Sequence, residues 1–202
     1  MFFIIHRLNT LYIMNEITLV ENQLKRMRSM NKFYHKQFLI DVRFFFILGT
    51  VSLIFSFNVV EINYLLPLIS LFGSVILAFH AYYLIFSRNY SEYLEKEINN
   101  LLEKDVFITH KLENKYFFPI QDKKIVVAKL GNDFSWFSFV TLFITFYGIS
   151  LHAYGMYNIF TTLNSINYFL FIIFLTFITF IIGFWWFINN EGESRLRRIY
   201  DK

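Results

Sequence analysis

Asp, Glu, Lys and Arg are absent from three long stretches of this chain, 44–60, 62–87 and 134–190. A charge at the centre of a bilayer is costly, and a spanning helix takes about 20 mainly apolar residues. The first two stretches each suit one helix. The third is too long for one span and fits two, with Tyr157-Asn158 and Asn164-Ser165-Ile166-Asn167 polar enough to form the turn between them. The pattern therefore predicts an all-α membrane protein with four transmembrane helices, at about 42–60, 64–87, 134–156 and 166–189, arranged as two helical hairpins. Composition agrees: 56% of the 202 residues are hydrophobic, 28 are Phe, and only 17% are charged, against about 25% charged in an average globular chain. A disordered chain is excluded, and an ordinary soluble enzyme fits poorly.

The basic residues set the expected orientation. All 19 Lys and Arg lie at or before Arg43, between Arg88 and Lys129, or from Arg195 onward. The short connections 61–63 and 157–165 hold none. The positive-inside rule then places both termini and the middle segment in the cytoplasm, with a bacterial inner (plasma) membrane as the expected location. The expected organisation is a cytoplasmic amphipathic helix (1–41), a transmembrane hairpin (42–87), a cytoplasmic segment (88–133), a second transmembrane hairpin (134–189) and a basic tail (190–202). Trp136, Trp185 and Trp186 fall at the predicted inner ends of the spans, and Tyr64, Tyr154, Tyr157 and Tyr168 at the outer ends, where amphipathic rings belong. The N-terminal Phe2-Phe3-Ile4-Ile5 is too short to be the apolar core of a signal peptide, and Met14-Asn15-Glu16 offers an alternative start.

Residues 13–38 carry a heptad-like stripe of Ile13, Ile17, Val20, Leu24, Met27, Tyr34 and Phe38, interrupted by Asn31. Its expected partner is the bilayer surface or the other cytoplasmic helix. Residues 88–106 read as a continuation of span two, with a second stripe of Tyr93, Leu94, Ile98, Leu101 and Leu102. Tyr116-Phe117-Phe118 and Ile125-Val126-Val127 are β-prone runs and form a candidate small hairpin; residues 123–130 fit equally as a helical lead-in to span three. Gly131-Asn132-Asp133 is a breaker ahead of that span.

Span three carries a seam of Ser138, Thr141, Thr145, Gly148, His152 and Gly155 at alternating spacings of three and four. Small residues let helix backbones approach closely, so the seam predicts a helix-packing face; the sharper reading is the lining of a pore. His80 and His152 are ionisable groups within spans, and His80 is the candidate intramembrane polar site. No Asp or Glu falls in any predicted span. His110 and Glu113 form an isolated His-Xaa-Xaa-Glu, expected to be solvated surface of a cytoplasmic loop. Arg195, Arg197 and Arg198 form a candidate contact for anionic lipid. There is no cysteine, and no hydrolase, metalloprotease or phosphate-loop motif. Catalytic residues, cofactor and metal are accordingly expected to be none, and a nucleic-acid partner is not expected.

The leading expectation is a non-enzymatic, homo-oligomeric inner-membrane protein that couples a cytoplasmic helical module or protein partner to the bilayer. The alternatives are a pore lined by the span-three seam and a small transporter or membrane enzyme subunit. In topology alone the chain is similar to small four-span accessory proteins encoded beside bacterial defence nucleases, which implies an accessory role in prokaryotic antiviral defence as a further alternative.

Overall fold

The computed structural model describes the backbone of residues 2–116, 120–121, 124–125 and 136–189, and the side chains of 14–113, 139–186 and 189. The helices are α1 (Phe2–Ser56), α2 (Leu65–Leu102), α3 (Thr109–Tyr116), α4 (Trp136–Thr161) and α5 (Ile166–Ile188), with a short 3-10 helix at Val60–Tyr64. Ile120–Gln121 (β1) pairs antiparallel with Lys124–Ile125 (β2), Ile120 facing Ile125. Tyr116, which reads as the start of a β-prone run, is instead the last residue of α3, and Lys124–Ile125 is a strand where a helical lead-in over 123–130 is the other expectation. Phe117, Phe118, Lys123, residues 126–130, the breaker Gly131-Asn132-Asp133 and the basic residues Arg195, Arg197 and Arg198 lie outside the described residues.

Four helices are long and apolar enough to cross a membrane. Bilayer hydrocarbon leaves backbone groups no water to bond, and an unbroken helix satisfies them within itself. Two of the four are much longer than a crossing requires. At about 1.5 Å per residue, α1 extends about 80 Å and α2 about 57 Å, against about 30 Å of hydrocarbon. The interruption expected at Asn31 is one of the apolar stripe only; the helix runs through it.

Helix ends differ from the expected ones in two places. α4 continues to Thr161, a turn past the expected end, before Asn164 takes a positive φ of 47° in the turn to α5. α1 stops at Ser56, not at 60. Asp41 and Arg43 lie on the same unbroken helix, 15 and 13 residues before that end.

The chain divides into two compact units. Unit 1 comprises Met1–Lys36 and Tyr83–Leu142, and unit 2 comprises Gln37–Tyr82 and Phe143–Lys202; α1 and α2 contribute residues to both. The core of unit 1 is Leu24 from α1 with Leu94 and Ile98 from α2, flanked by Val20, Met27, Tyr90 and Phe107. Both heptad-like stripes thus supply this core. Tyr34 stacks on Tyr83 at 4.9 Å between centroids, and Asn99 fastens the loop after α2 by accepting from the Val106 and Phe107 amides and donating to the Phe107 carbonyl.

Unit 2 buries Phe45, Leu66, Leu77, Leu151, Ile159 and Ile172, while Phe146, Phe174, Phe177 and Phe180 remain exposed. An outward apolar surface of this kind suits lipid rather than water. Small residues set the inner packing. The Ser70 hydroxyl donates to the Gly148 carbonyl at 2.7 Å, an approach that a small residue at 148 permits. The Tyr147 hydroxyl meets Thr50 Oγ1 at 2.9 Å and donates to the Phe46 carbonyl at 3.3 Å. Near the other end of α4, Tyr168 of α5 donates to the Tyr64 carbonyl at 2.7 Å.

The two seam glycines differ in the room they leave. A Cβ on Gly148 would meet Phe45, Ser70 and Ser74 at ordinary distances of 3.7 Å, whereas one on Gly155 would lie 2.7 Å from Pro67 Cδ and 2.9 Å from Leu66 Cβ. Gly155→Ala is therefore expected to lower stability by about 1–3 kcal/mol, the cost of overpacking. Gly148→Ala should be close to neutral, and Gly148→Leu should be damaging. Thermal unfolding in detergent, followed by circular dichroism, checks the order; equal melting of the two alanine variants would contradict it.

Candidate functional site

The polar chemistry of unit 1 converges on Glu95. This carboxylate directly follows the core residue Leu94 on α2, about a turn before Ile98, and is only 2% exposed. Left unpaired there it would carry a large desolvation cost. Both of its oxygens are occupied. Oε1 accepts from Arg28 Nη2 of α1, and Oε2 accepts from the backbone amide of His110 at 3.0 Å and faces His110 Nδ1 at 2.9 Å. His110 lies in the first turn of α3, so Glu95 also serves as an anionic cap for that helix, supplied by a different one. Burial alone would push the Glu95 carboxyl up; the His110 amide, Arg28 and the His110 ring outweigh it and hold the group below the usual carboxylate value.

A second set of charges lies beside the first. Arg88, 1% exposed, has its Nε 3.6 Å from Glu113 and its Nη2 3.9 Å from Glu92. Glu113 is half-buried on α3, and burial raises its carboxyl above the usual range against the pull of Arg88. His110 and Glu113 are therefore not solvated loop surface, as their isolation in the sequence suggests. They lie on a helix, with His110 buried at 5% exposure, and each faces a charge from α2.

This cluster borders an open cavity of about 320 Å³. α1 lines it with Arg28, Asn31, Lys32 and His35, successive positions on one helical face. α2 contributes Ser91 and Glu95, and α3 contributes Thr109 and Glu113. Arg28 Nη2 also donates to Thr109 Oγ1 at 3.0 Å.

Of the candidate residues of the spans, His80, Thr145, Gly148, His152 and Gly155 lie in unit 2 and do different work. In the seam, Gly148 and Gly155 are buried against α2, Thr145 is exposed, and His152 Nε2 faces Thr176 Oγ1 at 3.3 Å. Thr141 is part-exposed and belongs to unit 1 by position; the Ser138 side chain lies outside the described residues. His80 faces Asp41 of α1 through Nδ1. His80 has no acidic neighbour in its own span, and the partner becomes apparent only with α1 and α2 side by side. Asp41 also stands at one end of an apolar cavity of about 390 Å³ walled by Phe44, Leu48, Leu68 and Phe72.

No protein-family model, curated protein or solved structure matches the chain.

Glu95→Gln removes the charge from a buried carboxylate that answers both a guanidinium and an imidazole. The Arg28 guanidinium is part-exposed, so the loss is smaller than the about 3–5 kcal/mol of a fully buried pair. Amide hydrogen exchange in α3, measured on the detergent-solubilised protein, should accelerate by about 10-fold or more at neutral pH. Because the Glu95 pKa is lowered in the folded state, its contribution is present above the unfolded carboxylate value and is lost as pH falls through the folded one. The gap between wild type and Glu95→Gln should accordingly close in acid. Equal exchange at neutral pH would contradict the cap.

Proposed function

We propose that this chain is a non-enzymatic, multi-spanning membrane protein, homo-oligomeric, that couples a cytoplasmic helical module or its partner to the bilayer. The observation that carries the reading is the continuity of α1 and α2, each of which runs without a break from a polar, ion-paired part in unit 1 into an apolar part in unit 2. A rigid helix transmits rotation or translation along its length, and packed helices repack between discrete arrangements rather than deforming continuously. The charge partition of the sequence supports a cytoplasmic position for the polar part and an inner-membrane location. Exposed apolar residues along α5, with open space at Gly183, offer a surface for a second copy. The burial of Gly148 and Gly155 against α2 favours the packing reading of the span-three seam over a pore lining.

Coupling is tested with single cysteines in this cysteine-free chain. Asn63, in the 3-10 helix between α1 and α2, is 2% exposed, so a maleimide should react slowly with Asn63→Cys. If the helices transmit, adding Glu95→Gln or the milder Arg28→Lys should change that rate by about threefold or more, since differences of under 1 kcal/mol already shift an open population by that factor. Thr161→Cys, exposed on α4, should keep its rate. Unchanged labelling at position 63 in both variants would overturn the coupling. A strictly monomeric mass in several mild detergents would overturn the oligomeric part.

A further inference from the structure

The unit 1 cavity is rich in uncommitted donors although two carboxylates border it. Glu95 is spent, since three donors from Arg28 and His110 occupy its two oxygens. Glu113 faces the Arg88 guanidinium. On the opposite wall, Lys32 and His35 are exposed and make no hydrogen bond or ion pair among the described residues, and Arg28 uses only Nη2 for Glu95 and Thr109. The remaining N–H groups of Arg28, the Lys32 ammonium, the His35 ring and the Thr109 hydroxyl therefore all border one space.

We propose that this cavity binds a small phosphate-bearing anion, held by Lys32, His35 and the free edge of Arg28, with the Thr109 hydroxyl as a further donor. Several properties fit that ligand class. A guanidinium fixed by a buried carboxylate is pre-oriented, so little freedom is lost when its other edge takes a phosphate oxygen. Charge-assisted N–H···O bonds are the strongest hydrogen bonds available to such a group. About 320 Å³ is at the small end of ligand cavities, which run from about 300 Å³, and suits a phosphate ester up to the size of a mononucleotide rather than a polymer. Arg28 links the cavity to the Glu95 cap of α3, so occupancy would bear directly on the network that orders that helix. The same chemistry is carried by a soluble phosphate ester and by the headgroup of an anionic phospholipid.

The proposal goes beyond the coupling reading, and its binding step stands apart from it. The full chain is purified in a zwitterionic detergent and titrated calorimetrically with inorganic phosphate and with adenosine monophosphate. In a parallel arm it is titrated with mixed micelles containing phosphatidylglycerol. Saturable binding in either arm is expected, the arm identifying the source. Lys32→Gln and His35→Gln change exposed rim residues and leave the buried network intact; each should weaken binding about tenfold, the loss of one charge-assisted bond. Glu113→Gln, which removes a negative charge from the wall, should tighten it, and Lys96→Gln, outside the cavity, should leave it unchanged. Absence of binding in both arms, binding insensitive to Lys32→Gln and His35→Gln, or weakening by Glu113→Gln would each overturn the proposal. Binding as described without any effect of Glu95→Gln on labelling at position 63 would overturn the coupling reading and leave the site standing.

Discussion

A bilayer interior supplies no water to a polar backbone, and every main structural choice in this chain follows from that constraint. The long apolar segments are helical because a helix pairs its own amides and carbonyls. Their outward faces can then be covered in Phe, Ile and Leu, as α5 is, since lipid is the neighbour that such residues prefer. Between the helices there is no hydrophobic driving force to gain over lipid, so packing rests on close approach and occasional hydrogen bonds of about 0.6 kcal/mol each. Gly148 beneath Ser70, and Gly155 against Pro67 and Leu66, are instances of the first kind; the Tyr147 and Tyr168 hydroxyls are instances of the second.

The same constraint concentrates charge elsewhere. Unit 1 has a small apolar core of Leu24, Leu94 and Ile98, too few residues to fasten three helices by burial alone. Polar contacts around the buried Glu95 carboxylate add to it. One carboxylate ties α2 to α1 through Arg28 and to α3 through His110. A buried pair of this kind adds less net stability than its Coulomb energy suggests, but leaving one partner alone is costly. The network therefore favours one arrangement of three helices and penalises others.

Much of this architecture is legible in residue order. The uncharged stretches locate the spans because charge at the bilayer centre is excluded, and the stripes of Leu24 and Leu94 follow from helical periodicity. What is not legible depends on partners distant in the chain. Arg28 and Glu95 are 67 residues apart and His110 lies 15 beyond Glu95, so neither periodicity nor motif spacing joins them. His110 and Glu113 read as surface because nothing local shows that α2 supplies a carboxylate to one and a guanidinium to the other. Asp41 and His80 are 39 residues apart, so the pairing of the two shows only once α1 and α2 lie side by side. The small-residue seam is visible in the sequence, but which of its members are packed and which exposed depends on the neighbouring helix: Gly148 and Gly155 turn inward, while Thr145 does not.

In the proposed topology residues 88–133 and the connection 157–165 face opposite sides of the membrane. Lys111, on α3, and Thr161, at the end of α4, are both exposed to any reagent that can reach them, and the chain has no cysteine of its own. Labelling of Lys111→Cys and Thr161→Cys in intact cells with a membrane-impermeant maleimide is therefore the most direct measurement. The account predicts reaction at position 161, and at position 111 only after the cells are permeabilised. Reaction at position 111 but not 161 in intact cells would contradict the orientation, and equal reaction at both would contradict the membrane-spanning arrangement itself.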